Sequence, residues 1–419
     1  MKSRLLQISL IAGWLVVAGC SSSNNGGGTP PPPPPPPPPP AGLSTGPASC
    51  TGGMAGDFSC SGLSLRKRLS TAAMGGGDGN DIWGWADPQN GNEYALMGLS
   101  IGTAFVDVSD PDNPVFLGGL PSNTVESAWR DIKVYQDHAY IVADNAGAHG
   151  MQVFDLTRLR GVTSEQTFDA DAVYSGFTNA HNIAINEATG FAYAVGTNTC
   201  QEGLHIVDIR TPTNPTLAGC YDEADIHDTQ CVVYQGPDPD HTGREICFNS
   251  NRNLALNEHN LGIADVTNKP ATFTISSTTY PQSGFAHQGW LTEDHQFFLL
   301  GDELDETSFS VPTRTLIFDI RDLDAPVFVS AYEAATSSID HNLYILGNRV
   351  FMASYTSGVR VLEFQDLANS EITEIAFLDT FPASDIAEFD GVWSVYPYLP
   401  SGNIIASDIS NGLYILTLQ

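Results

Sequence analysis

Seven times along the chain, a strand of the form apolar-x-apolar-acid-apolar or a close variant of it returns, at spacings of 44 to 57 residues. The copies begin with Phe105-Val106-Asp107-Val108, Val153-Phe154-Asp155-Leu156 and Ile206-Val207-Asp208-Ile209. They continue as Ile263-Ala264-Asp265-Val266, Ile317-Phe318-Asp319-Ile320 and Val361-Leu362-Glu363-Phe364, and the last is Ile415-Leu416-Thr417-Leu418. A period near 50 residues marks a repeat unit too small to bury its apolar face alone, so the units must pack on one another.

Within a unit the residues read as four short strands. In the third copy, period-2 apolar runs cover residues 181–185, 191–195, 204–209 and 216–221. Gly190 and the Thr211-Pro212-Thr213-Asn214-Pro215 segment punctuate them. Related proline turns recur at Asp110-Pro111-Asp112-Asn113-Pro114 and Asp324-Ala325-Pro326. Four-stranded units repeated radially make an all-β propeller, here of seven blades, with six as the alternative if a terminal unit is incomplete. The chain ends directly after the third strand of its last unit. The run from Leu63 to Leu69 is therefore expected to supply the fourth, hiding strand edges that invite aggregation. The repeated Asp is read as structural, because it precedes a turn whose backbone N–H groups it can accept.

The N-terminal region has a different character. Residues 1–19 combine Lys2 and Arg4 with an apolar run too short for an ordinary membrane span, and read as a signal peptide. Val17-Ala18-Gly19-Cys20 resembles a bacterial lipobox, making Cys20 the expected lipidation site, and Ser21 after it favours outer-membrane sorting by analogy. Residues 20–49 read as a tether, Ser/Asn/Gly-rich and then an unbroken proline run from Pro30 to Pro40. Such a run forms a polyproline II rod of roughly 30 Å. Residues 50–419 remain for the propeller.

Seventeen Lys and Arg stand against 48 Asp and Glu, a formal net charge of -31. That balance excludes a nucleic-acid partner, which needs a basic face. It suits a self-repelling, soluble and monomeric surface protein with an affinity for divalent cations. Apart from Cys20, six cysteines remain in a chain expected to be exported, which implies disulfides. Cys231 and Cys247 fall opposite one another on a hairpin, Cys200 and Cys220 meet at one strand edge, and Cys50 and Cys60 are left to pair. No paired CxxC spacing suggests a zinc site instead.

Inner strands line a propeller's channel, so the residues that open them crowd at its mouth. Here they are Arg130-Asp131, His181-Asn182, His227-Asp228, His287-Gln288 and Asp340-His341. The candidate ligand or metal site is thus Asp131, His181, His227, Asp228, His287, Asp340 and His341. Imidazoles beside carboxylates can hold a transition metal or move protons. Repetition equally suits histidines that bond one blade to the next. Trp83, Trp85, Trp290 and Trp393 lie on or near inner strands, where they can stack on a sugar ring or simply pack. Asp78-Gly79-Asn80-Asp81 and Asp302-Glu303-Leu304-Asp305-Glu306 offer oxygen ligands without a full calcium-loop spacing. No HExxH, GxSxG or phosphate-loop motif is present, so no catalytic residue is assigned.

Several strings together resemble the choice-of-anchor B family. They include Asp81-Ile82-Trp83-Gly84-Trp85, Trp129-Arg130-Asp131-Ile132, Ala180-His181-Asn182-Ile183, His287-Gln288-Gly289-Trp290-Leu291 and Asp340-His341-Asn342-Leu343-Tyr344. The acid-bearing strands are similar to LVIVD repeats. The resemblance covers residues 50–419 and implies an exported surface propeller, without bringing an activity. The expected function is a lipid-anchored, non-catalytic envelope protein that binds a protein or glycan partner. The alternative is a metal-dependent envelope hydrolase or oxidoreductase built on the His/Asp ring, with a divalent metal as its only candidate cofactor.

Overall fold

The computed structural model describes residues 43–253 and 258–419. The signal peptide, Cys20 and the proline rod lie outside the described residues. Residues 43–419 form a seven-bladed β-propeller, as the repeat predicts. The innermost strands begin at Gly79, Arg130, Asn182, Asp225, Ala286, Leu343 and Val392. They touch in cyclic order, and the seventh packs on the first. We number the blades 1 to 7 in that order.

Blade 3 shows the unit plainly: Asn182–Asn186, Phe191–Val195, Leu204–Asp208 and Thr216–Tyr221 pair as one antiparallel meander. Gly190 takes φ +72° in the first turn, a conformation glycine adopts without steric cost. Alternate residues of Leu204–Asp208 face the two neighbouring blades, so Ile206 and Val207 are both fully buried. A register shift interrupts the pairing of third and fourth strands in blades 1, 3, 4, 5, 6 and 7. Such bulges strengthen the twist that lets flat sheets fan around an axis. Aromatic side chains fill the wedges between blades. Phe105, Phe154 and Phe168 join blades 1 and 2 with ring centroids 4.6 to 5.6 Å apart.

The repeated acid does what its position predicts. Asp107, Asp155, Asp208, Asp265 and Asp319 each accept the backbone N–H two residues on, at 2.9 to 3.1 Å. This Asx turn sends the chain into the outer strand or, after Asp155, into a helical turn.

Closure uses the N-terminal strand. Leu63–Leu69 pairs antiparallel with Gly412–Leu418, Leu65 opposite Leu416 and Leu69 opposite Leu413. Two additions were not foreseen from the sequence. Phe58–Ser61 and Met54–Ala55 extend blade 6 beyond its fourth strand, and Gln166–Thr167 adds a parallel strand to blade 1. Disulfides join Cys50 to Cys60, Cys200 to Cys220 and Cys231 to Cys247. The first fastens the added strand, since Cys60 lies opposite Leu378 of blade 6.

Asp408, fully buried at the end of blade 7's second strand, accepts bonds from Thr380 Oγ1 and from the N–H groups of Ser410 and Asn411. Burial raises its pKa to about 7 against those bonds. The unfolded value lies near 3.9, so the folded state holds the proton more tightly. The stabilisation from this group is therefore complete below about pH 4 and is lost as pH rises to about 7. Relative to Asp408→Asn, the wild type should lose on the order of a few kcal/mol across that window and then run parallel above it. Urea denaturation at stepped pH measures the difference, and a gap independent of pH would refute the assignment.

Candidate functional site

The inner strands of blades 2 to 6 open on or beside a polar pair, and the structure gives the two members different tasks. The pairs are Arg130-Asp131, His181-Asn182, His227-Asp228, His287-Gln288 and, one residue on from the pair read in the sequence, His341-Asn342. The second member of most pairs bonds the next blade. Asn182 Nδ2 donates to the His227 carbonyl at 3.0 Å, and Asn342 Nδ2 donates to Ser394 Oγ at 3.2 Å. Gln288 both donates to the Leu343 carbonyl and accepts its N–H, at 3.1 and 2.8 Å. Asp131 accepts the N–H of Ile183 at 2.6 Å. These are buried or partly buried polar groups satisfied across blade seams.

The four histidines gather side by side at one end of the channel. Ring centroids are 4.7 Å apart for His181 and His227, 4.4 Å for His227 and His287, and 4.2 Å for His287 and His341. Trp393 continues the row, 4.7 Å from His341. Two rings also bond the following blade: His227 Nδ1 to the His287 carbonyl at 3.0 Å, and His341 Nδ1 to the Trp393 carbonyl at 2.6 Å. A nitrogen facing a carbonyl must carry the proton, so the Nε2 lone pairs of His227 and His341 are free. Burial and the neighbouring imidazoles hold His227 and His287 well below the ordinary histidine range, and burial takes His341 down to about 3. All three are neutral at physiological pH.

Glu303 faces this row. Its carboxylate lies 3.7 Å from His287 Nε2 and 3.6 Å from His341 Nε2, and Tyr355 Oη donates to it at 3.0 Å. Burial raises the Glu303 pKa to about 7. Asp144 takes the same part beside His181, 3.0 Å from Nδ1. Neither acid belongs to the channel-mouth set read from the sequence, although Glu303 lies in the acidic loop noted there for its oxygen ligands. Both directly follow the second strand of a blade, Asp144 after Ala143 and Glu303 after Asp302. Aligning the repeats on that strand end would have exposed them.

Three residues of the sequence-derived set sit elsewhere, with no hydrogen bond to these imidazoles among the described residues. Asp131 joins Asp81 and Lys133 in an ion-pair cluster, with Lys133 Nζ 3.6 Å from Asp81 and in contact with Asp131. Burial opposes the charge on Lys133, but the two carboxylates beside it hold its pKa well above the ordinary value. Asp228 looks into a cavity further along the strands, where burial and the charge of Asp131 raise its pKa to about 8. Asp340 is buried near Asp305 and Glu306. Arg130, which aligns with the histidines by sequence, turns into the seam between blades 1 and 2. There it donates to the Leu99 carbonyl at 2.8 Å and lies 3.2 Å from His149 Nε2.

The middle and C-terminal parts of the inner strands line a cavity of about 860 Å³. Trp83, Trp290, Tyr344, Tyr396 and Tyr398 present aromatic surface to it, with Gln230, Gln288, Lys133 and Asp228 among the polar groups. Lys133 sits over the Trp83 ring at 4.6 Å. Trp85 and Trp393 are not part of this wall. Trp85 stacks on Tyr94 and bonds Asp137.

Comparison with known proteins agrees with this architecture. The LVIVD repeat model matches residues 179–223, which contain all of blade 3. The chain is a β-propeller carrying an LVIVD repeat. A crystal structure of a protein from Lactobacillus plantarum is similar, with a TM-score of 0.50 and 12% identity. The match covers 78% of this chain and 87% of that one, and at that identity it speaks for the fold alone. No curated protein matches the chain.

Proposed function

We propose that this propeller is a lipid-anchored envelope protein of the choice-of-anchor B type, which displays its central cavity to a carbohydrate ligand. One observation carries the reading: five aromatic side chains and several hydrogen-bonding groups converge on a single channel cavity of about 860 Å³. Aromatic faces stack on the apolar face of a sugar ring, while amides and carboxylates take its hydroxyl groups. The lipobox-like segment ending at Cys20 and the proline run after it support a tethered protein, held off the membrane on a semi-rigid spacer. The acidic surface supports solubility and a monomeric state. A glycan array probed with the purified protein tests the reading. It should give discrete carbohydrate hits that weaken roughly tenfold or more in Trp290→Ala, in line with the loss of one stacked ring. No hit, or hits indifferent to that substitution, would refute it.

A second reading, metal-dependent chemistry at the opposite end, has its own support. With the His341 Nδ1 proton committed to the Trp393 carbonyl, the Nε2 lone pair faces the Glu303 carboxylate at 3.6 Å. Two acceptors so placed repel unless a cation or a proton lies between them. Tetrahedral zinc with bonds near 2.1 Å spaces its ligands by about 3.4 Å. His287, His341 and Glu303 therefore have the spacing for such an ion, with Tyr355 orienting the carboxylate. They would hold the metal as a Lewis acid toward a bound substrate or water. Elemental analysis after dialysis should find one zinc-like ion per chain, lost in His287→Ala/His341→Ala. A metal-free wild type after zinc loading would rule this reading out.

A further inference from the structure

The segment that delivers Glu303 continues into a second group of acids that neither reading uses. After blade 5's second strand ends at Asp302, one helical turn, Asp305–Phe309, carries Asp305 and Glu306 inward. They meet Asp340, which precedes blade 6's inner strand. Ligand oxygens of the three residues lie within 4.8 Å of one another, and the residues are 0%, 4% and 1% exposed. Among the described residues, the one basic side chain bonded to the group is Arg314, whose Nε and Nη2 donate to Asp305 Oδ2 at 2.8 and 2.6 Å. Neighbouring Asp302 brings no relief, since its oxygens are engaged by the N–H groups of Gly284 and Phe285 and by Tyr280 Oη.

Acidic residues alone would mean little. Here both oxygens of Glu306, both oxygens of Asp340 and Oδ1 of Asp305 are buried without a hydrogen-bond partner among the described residues. The side chains of Glu306 and Asp340 are each more than nine-tenths buried and reach into the same space. Gly301 keeps that space open, because a Cβ there would lie 2.3 Å from Asp340 Oδ2. Burying even one unpartnered carboxylate costs several kcal/mol. Three carboxylates against one guanidinium leave a formal charge of two to be matched.

We propose that Asp305, Glu306 and Asp340 bind one calcium ion, which clamps the 302–309 segment of blade 5 onto blade 6. The ligand set is all oxygen, which selects a hard cation and disfavours zinc or copper. Three carboxylates, each binding through one oxygen or two, leave the rest of calcium's six to eight ligands to backbone or water. Magnesium, which dehydrates reluctantly and demands an octahedron, suits a buried protein cage less well. The same segment carries Glu303 and the same strand entry carries His341, so the ion fixes the geometry of the imidazole end from behind.

The test uses the purified full chain, stripped with EDTA and titrated with calcium chloride at pH 7.5. Calorimetry should show one calcium per chain at this site, and the melting midpoint should rise by on the order of 5 °C at saturation. Glu306→Gln/Asp340→Asn removes two of the charges. It should fold without the ion, melt above the calcium-free wild type, and lose the calcium response. Absence of calcium binding by the wild type would mean that shared protons neutralise the group, and would overturn the proposal whatever the variant does. A calcium response that survives in the double variant, or an equal response to magnesium, would overturn it as well.

Discussion

The pairing of Leu63–Leu69 with Gly412–Leu418 joins an N-terminal strand of the propeller to its last strand in one sheet, and the geometry of the channel depends on that join. An open array of twisted four-stranded sheets has no fixed axis. A closed one has a set number of blades, a fixed angle between neighbours, and inner strands that all run the same way. The first residues of seven strands are then brought to one end of the channel. Four histidines far apart in sequence become neighbours with ring centroids 4.2 to 4.7 Å apart.

The seams between blades show how the fold manages polarity near its axis. Asn182, Gln288, Asn342 and Asp131 are buried or partly buried, and each is satisfied by a group on the adjacent blade. Their satisfaction fixes each blade's position more sharply than apolar packing would, since a shift leaves a donor or acceptor unpaired. The acids around Asp340 break this rule, while His341 and Glu303, each bonded elsewhere, still face one another as two acceptors 3.6 Å apart. Single buried atoms elsewhere, such as Asn80 Oδ1, Thr103 Oγ1 and Tyr414 Oη, also lack partners among the described residues, but around Asp340 five carboxylate oxygens lack them together.

Much of the architecture was legible because it rests on local rules that the repeat prints seven times. Period-2 apolar strands, Asx turns after Asp208 or Asp319, and the missing fourth strand of the last blade could all be read residue by residue. Of the disulfides, Cys231–Cys247 followed from hairpin geometry, Cys200–Cys220 from a shared strand edge, and Cys50–Cys60 from what was left. Less of the candidate site was legible. The sequence showed that histidines open successive inner strands, but not that Arg130 would leave their row for the carbonyl of Leu99. Asp144 escaped because it sits in an irregular turn after a second strand, where spacing varies between repeats. Glu303, singled out only as an oxygen donor of an acidic loop, was not placed beside the histidines for the same reason. Asp340, adjacent to His341, was grouped with the imidazoles. The strand entry instead directs its side chain to Asp305 and Glu306, a contact between blades that no local pattern encodes. Gln166–Thr167 and Phe58–Ser61 were missed for a similar reason, since two to four residues carry no period and pair only because a neighbouring edge is free.

The two ends of the channel thus differ in chemistry. One carries neutral imidazoles and a buried glutamate, while the other opens as an aromatic cavity with hydrogen-bonding groups. Both depend on a ring that is closed. The most direct test replaces Ser64 and Thr417, which lie opposite one another across the closing strands, with cysteine. Closure as described predicts that the two thiols oxidise to a cross-link, found by mass spectrometry as a peptide pair under non-reducing conditions, with the native fold kept. If both cysteines instead remain free to alkylation while the protein stays folded, the ring is not closed by this strand and the account of the channel fails with it.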